Sequence, residues 1–160
     1  MIYSYEGKID KYPISMLLIV DNNSKILGFY VYQKHAIFLK LDGEIDENFD
    51  IFIDEIDEKN NYVSKFLGKT DKSFKTISGN WQTNDKKKTL TFWLNQTKSV
   101  NDTFKLTTNN GDIVLNIRIL NEDYFSIPFI MYRFDLHYCQ YNRCDDRPSV
   151  VSLNESIVPR

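Results

Sequence analysis

The chain has 160 residues, 42% hydrophobic and 14% aromatic, enough for one domain with its own core and too few for two comfortable ones. A net charge of −2 and a pI near 5.7 give no general attraction for phosphates, so nucleic acid is not an expected partner. The longest mostly apolar runs, Tyr12–Val20 and Tyr124–Tyr132, are nine residues each, against the ~20 that a membrane helix needs, so no transmembrane segment is expected.

Period two dominates from the start. IYSYEGKI reads as a first strand, and YPISMLLIV and ILGFYVYQ flank a turn at Asp21-Asn22-Asn23-Ser24-Lys25. AIFLKLDGEI, FDIFIDEI, NYVSKFLGK, FKTISGNW and KTLTFWLN follow, each bounded by Asp, Asn, Gly or Lys-rich turns. This gives about eight short strands up to Asn95 at the spacing of a meander. Nothing between them has a 3.6-residue period with caps. Beyond Asn95, TFKLTT and IVLNIR flank Asn109-Asn110-Gly111-Asp112, a strong hairpin turn. In FSIPFIMYRF, Pro128 cannot donate to a ladder and marks an edge or bulged strand.

Such strands must hide one face and blunt their edges, and closure does both. The fold class predicted is all-β: an antiparallel up-and-down meander closing into a small lipocalin-like barrel, with a two-layer sandwich as the alternative. A single domain over 1–160 is expected, with 1–94 as the barrel meander and 95–160 as an added hairpin and C-terminal segment packed on it.

The stretch EIDENFDIFIDEIDE, Glu44–Glu58, holds eight carboxylates in fifteen residues and no basic residue. Phe49, Ile51 and Ile53 alternate with Asp50 and Asp54, which puts the acids mainly on the solvent face and in turns. Lysines on neighbouring strands are expected to pair with them at ~0.2–1 kcal/mol each. A calcium cradle is not expected, because no D-x-D-x-D-G loop is present. The competing functional reading is an acidic docking surface for a basic protein, built from Asp50, Asp54, Glu55, Asp57 and Glu58. Trp93 joins it as an interface anchor, since Phe92 and Trp93 are adjacent and one of them must face outward.

Tyr30, Tyr32, Phe38 and Trp81 are candidates to line a ligand cavity, against the plainer reading that they fill the core. The bulky inner faces favour filling. Cys139 and Cys144, spaced C-x4-C, fit a disulfide worth roughly 2 kcal/mol by loop entropy, or two free thiols. A zinc site wants four ligands, usually with a second close pair elsewhere, so neither a metal nor another cofactor is expected. No nucleophile elbow, H-E-x-x-H or phosphate loop is present, and the chain does not read as an enzyme.

Five glycines fall inside strand patterns, as a small, strongly coiled barrel requires. With their neighbours they form a series. Tyr5, Gly7, Ile9, Tyr12, Pro13 and Ile14 open it, and Gly28-x-Tyr30-x-Tyr32 and Leu41-x-Gly43 follow. Phe66-x-Gly68 and Gly79-x-Trp81 close it. Over about residues 3–94 this series resembles a group of uncharacterised bacterial lipocalin-like small barrel proteins and lipoproteins. The resemblance implies a small barrel and an exported protein, and carries no catalytic residues. The location expected is periplasmic or cell-envelope for a processed form, otherwise cytoplasmic, since no basic stretch and apolar segment precede the first strand. The reading favoured is a non-enzymatic bacterial binding protein, an inhibitor or immunity-type protein that occludes a toxin or hydrolase. A carrier of a small apolar ligand and a structural envelope protein are the alternatives.

Overall fold

Alternation along the chain turns into a closed wall. In a computed structural model, residues 1–35 and 38–97 are described, and beyond them four strands at 103–108, 111–119, 132–140 and 143–151. Eight strands meander in sequence order: β1 (Ile2–Ile9), β2 (Tyr12–Val20), β3 (Lys25–Tyr32), β4 (Phe38–Ile45), β5 (Asp50–Ile56), β6 (Tyr62–Thr70), β7 (Thr76–Thr83) and β8 (Thr89–Gln96). β8 pairs back with β1, Tyr5 opposite Gln96 and Ile9 opposite Phe92, so the sheet closes into a barrel. The sandwich alternative is thereby overturned. Every neighbouring pair is antiparallel, and closure leaves the barrel without a free edge.

Side chains at alternate positions fill the interior. Tyr5, Ile9, Ile14, Met16, Leu18, Ile26, Tyr30, Ile53, Phe66, Phe92 and Leu94 form one continuous buried cluster with their neighbours. The intra-strand glycines sit on the same inward-facing positions. At Gly79 an added Cβ would lie 2.1 Å from the Leu67 carbonyl oxygen and 2.4 Å from the Gly68 Cα. Gly68 and Gly79 are direct partners in the ladder, and only residues without a Cβ let β6 and β7 cross so closely.

The outer face of β2 and β3 is buried as well, at Leu17, Ile19, Phe29 and Val31. β9 (Thr103–Thr108) lies against β1, β2 and β3. It pairs with β10 (Gly111–Ile119) around the expected Asn-Gly hairpin. β11 (Tyr132–Gln140) and β12 (Arg143–Val151) extend this to a four-stranded sheet of order β12-β11-β10-β9, more than the single hairpin expected. Residues 125–131, with Pro128, lie outside the described residues, whereas Pro148 falls on the edge strand β12, where no ladder donor is needed.

The turns repeat one device. Asp21 Oδ1 accepts the N–H groups of Asn23 and Lys25, Asp46 Oδ1 those of Asn48 and Asp50, and Asp57 Oδ1 those of Lys59 and Asn61. In each case the third residue after the aspartate is left-handed: Ser24, Phe49 and Asn60, with φ of 62–65°. The Asp71 turn follows suit, with Phe74 at φ 53°. This is a type I turn closed by a left-handed bulge residue, with the Asp side chain supplying the local bonds.

Candidate functional site at one end of the barrel

Because the strands alternate in direction, the turns at 21–25, 46–50 and 71–75 lie at one end, and those at 10–11, 57–61 and 84–88 at the other. The first end is closed with aromatic rings. Phe74 is buried, stacks on Tyr3 with centroids 4.7 Å apart, and accepts a 2.9 Å hydrogen bond from Tyr5 Oη at its carbonyl. Phe49 packs against the same core. Left-handed backbone costs a non-glycine residue roughly 1–2 kcal/mol, and burial of a Phe ring, at ~1.5–3 kcal/mol, offsets it.

The other end is built around a carboxylate. Ile51, Ile53 and Glu55 share the inward face of β5, and Glu55 is only 6% exposed. The β5–β6 register shifts between Glu55 and Ile56, a bulge of the kind that re-aims a side chain. Glu55 Oε2 accepts three hydrogen bonds: from Tyr30 Oη on β3 at 2.7 Å, from Trp81 Nε1 on β7 at 3.0 Å, and from Ser64 Oγ on β6. Charge-assisted donors of this kind are the strong class, and here they stand where a cation would otherwise be needed. Among the described residues no lysine or arginine forms an ion pair with Glu55. All three bonds fall on Oε2, and among the described residues no donor is bonded to Oε1. No deeply buried side-chain polar atom lacks a partner there, so Oε1 is the oxygen left within reach of solvent.

Burial, and next the charge of Glu55, pushes the Tyr30 hydroxyl well above the usual tyrosine range, so it stays a donor. Burial also raises Tyr32. From this floor a line of edge-to-face rings runs outward: Phe66 to Tyr30 at 5.4 Å, Tyr30 to Tyr32 at 5.5 Å, and Tyr32 to Tyr12 at 6.4 Å. Tyr32, Leu39, Trp81 and Leu90 pack on the core yet stay half-exposed, while Tyr12 and Tyr62 (59%) are exposed at the rim. Lys88 Nζ lies 6.0 Å from the Trp81 ring centre, within cation–π range.

Of the four residues expected to line a cavity, Tyr30, Tyr32 and Trp81 gather here, and the side chain of Phe38 lies outside the described residues. The expected acidic surface needs a correction: Glu55 is inside the barrel, placed there by the same alternation that buries Ile51 and Ile53. Of the other acids, Asp50 and Asp57 have local partners. Asp50 pairs with Lys69 at 3.4 Å, and Asp54 stands opposite Lys65 in the ladder. Hydrogen bonds from Asn61, first from its backbone, hold the Asp57 carboxyl below the usual range, and Glu58 is exposed in the same turn. Trp93, 47% exposed, sits on β8 between Lys8 and Ser78, with β6 and β7 separating it from β5. These six residues do not form one patch. Ser64 and the inward role of Glu55 escaped the sequence reading, although the run Ile51-x-Ile53-x-Glu55 carried the signal.

Cys139 and Cys144 stand directly opposite one another in the β11–β12 ladder. Among the described barrel residues, no three His, Cys, Asp or Glu side chains converge as metal ligands. No helix of the described residues is long and apolar enough to cross a membrane. Comparison with protein-family models, with curated proteins and with solved structures finds no match for the chain.

Proposed function

We propose that the protein is a non-enzymatic binding barrel of the inhibitor or immunity type, which receives a basic side chain of a toxin or hydrolase at the Glu55 end. The observation that carries this reading is the asymmetry of Glu55, three donors on Oε2 and none among the described residues on Oε1, at the barrel end where Tyr12 and Tyr62 are exposed. Tyrosine and tryptophan around a desolvated polar anchor is the composition of interface hot spots. A lysine or arginine lowered between these rings would meet a carboxylate and aromatic faces together. The resemblance to uncharacterised bacterial barrel proteins implies an exported protein, and an envelope location is proposed on that ground. A small ligand carried inside the barrel fits less well, because Tyr5, Tyr30, Phe66 and Phe92 already pack the interior.

The test is capture from the extract of its own host, followed by quantitative binding of whatever protein is captured. Glu55→Gln and Trp81→Phe are expected to weaken that complex by at least roughly tenfold, the scale of losing one charge-assisted bond. Asp54→Asn and Trp93→Ala are expected to leave it unchanged. A partner that binds all four variants like the wild type, or loses affinity only with Asp54→Asn and Trp93→Ala, refutes the assignment.

A further inference from the structure

The outer face of the barrel changes character at β7 and β8. Across β5 and β6 that face sets charges against one another, with Asp54 opposite Lys65 and Asp50 opposite Lys69. On β7 and β8 the outward rungs are Thr76 opposite Asn95, Ser78 opposite Trp93, Asn80 opposite Thr91 and Gln82 opposite Thr89. Alternation puts these on the outside, because Ile77, Phe92 and Leu94 belong to the core. None of the eight is charged, in a chain of which 26% is charged, so the general chemistry of the surface does not account for them.

Seven of the eight are exposed and Gln82 is half-buried. Gln82 Nε2 donates to Thr89 Oγ1 at 3.0 Å, whereas the side chains of Thr76, Ser78, Asn80, Thr91 and Asn95 make no hydrogen bond to a described residue. Strand propensity explains the threonines and the tryptophan. It does not explain Asn80 and Asn95, since asparagine is depleted from strands. Within this ladder Trp93 is 47% exposed, and the strand from Thr89 to Asn95 spans about 20 Å.

We propose that this face binds a neutral glycan, a β-1,4-linked chain of glucose or N-acetylglucosamine type. In such sugars the ring substituents are equatorial, so each ring face is a patch of weakly positive C–H groups edged by hydroxyls. The C–H groups suit the negatively polarised face of an exposed indole. The hydroxyls and amides at the sugar's edge find donors and acceptors together in the asparagine amides and the serine and threonine hydroxyls. Lysines border the face without belonging to it. Lys69 pairs with Asp50 at 3.4 Å, Lys65 stands opposite Asp54, and Lys8, opposite Trp93, has Glu6 two positions along its own strand. An acid stands beside each of these lysines, which suits an uncharged chain better than an acidic one. The site lies on the barrel wall and is independent of the Glu55 end.

The experiment uses the full chain with cellohexaose and the hexamer of β-1,4-N-acetylglucosamine as probes, and the galacturonate hexamer as an acidic control. Calorimetry and amide chemical shifts follow binding at low and at high salt. At least one neutral hexamer is expected to bind, with shifts concentrated on 76–82 and 89–95 and an affinity insensitive to salt. Trp93→Ala should weaken binding at least roughly tenfold, and Trp93→Tyr, which keeps a stacking ring, should retain most of it. Asn80→Ala and Asn95→Ala should each cost roughly threefold, the scale of one neutral hydrogen bond. Asp54→Asn should change nothing, and circular dichroism checks that each variant keeps its sheet. The proposal is overturned if neither neutral hexamer binds at millimolar concentration, if Trp93→Ala binds like the wild type, or if the shifts map to the Glu55 end. Tighter binding of the galacturonate hexamer, lost in Lys8→Gln, equally overturns the assignment to a neutral chain.

Discussion

Replacing Tyr30 by Phe removes one hydroxyl and nothing else, and the structure says what that oxygen does. It donates to Glu55 Oε2 at 2.7 Å, inside the barrel, beside the donors of Ser64 and Trp81. A hydrogen bond to a charged group contributes ~1.5–3 kcal/mol, and since two donors remain on Oε2 the loss belongs near the lower part, about 2 kcal/mol. Glu55→Ala strips the acceptor from three donors at once. Taken at ~1–3 kcal/mol for each stranded donor, with water partly refilling the space, this comes to about 4 kcal/mol. In the Glu55→Ala background Tyr30→Phe removes a hydroxyl that has lost its charged acceptor and keeps only its neighbour Tyr32, so its cost should become small. The double-mutant cycle then gives a coupling of about 2 kcal/mol. Urea unfolding of the four proteins, followed by tryptophan fluorescence and by circular dichroism, measures each term. Total stability for such a domain is ~5–15 kcal/mol, so all four should keep a folded baseline at low temperature. Equal costs of Tyr30→Phe in both backgrounds, with coupling under ~0.5 kcal/mol, would refute the shared-acceptor account.

Gly79→Ala drives a methyl group into the Leu67 carbonyl and the Gly68 Cα, neither of which can rotate away, and should abolish the barrel's dispersed amide spectrum. Ser78→Ala, the exposed neighbour, should stay within ~0.5 kcal/mol of wild type. Phe74→Ala should cost about 3 kcal/mol, read as a shift in the urea midpoint, because it empties a buried site stacked on Tyr3. On the alkaline side, burial raises Tyr5, Tyr30 and Tyr32. Their contribution is complete below the unfolded value near 10 and falls as the pH climbs from there towards the raised values. The slope is about 1.4 kcal/mol per pH unit for each tyrosine still neutral in the fold, and Tyr5→Phe should remove one such share. A stability that stays level between pH 10 and 11 contradicts this.

The barrel was legible because two independent signals agreed along the chain. Within most strands up to Leu94 apolar residues recur at alternate positions, and five glycines sit inside the pattern where neighbouring backbones approach closely. The site was less legible for a physical reason. Glu55 is one acid among eight, and net acidity argues for solvent exposure. What buries it is the register that brings Tyr30, Ser64 and Trp81, from positions 25, 9 and 26 residues away, onto one oxygen. Local alternation had already placed Glu55 with Ile51 and Ile53, and the sum of the charges obscured it. The same holds for the turns. Asp21, Asp46, Asp57 and Asp71 are visible as turn formers, but nothing local announces that Phe49 and Phe74 accept a left-handed backbone so that their rings can close the barrel.

The two ends therefore solve the same problem with opposite chemistry, and the contrast bears on function. One end is closed by aromatic rings, two of them on left-handed turn residues, which shows that this chain can close a barrel mouth without a buried charge. At the other end, leucine at 55 with phenylalanine at 30 and 81 and alanine at 64 would dispense with a buried charge and its three donors together. Replacements of that kind are often neutral or stabilising, because the desolvation of the carboxylate disappears along with its bonds. Stability alone thus gives no reason to keep Glu55 where an apolar plug would serve. The proposed docking of a basic side chain supplies one: a carboxylate with three donors on one oxygen and none among the described residues on the other is preorganised for a single further donor, and an alkyl side chain offers it nothing.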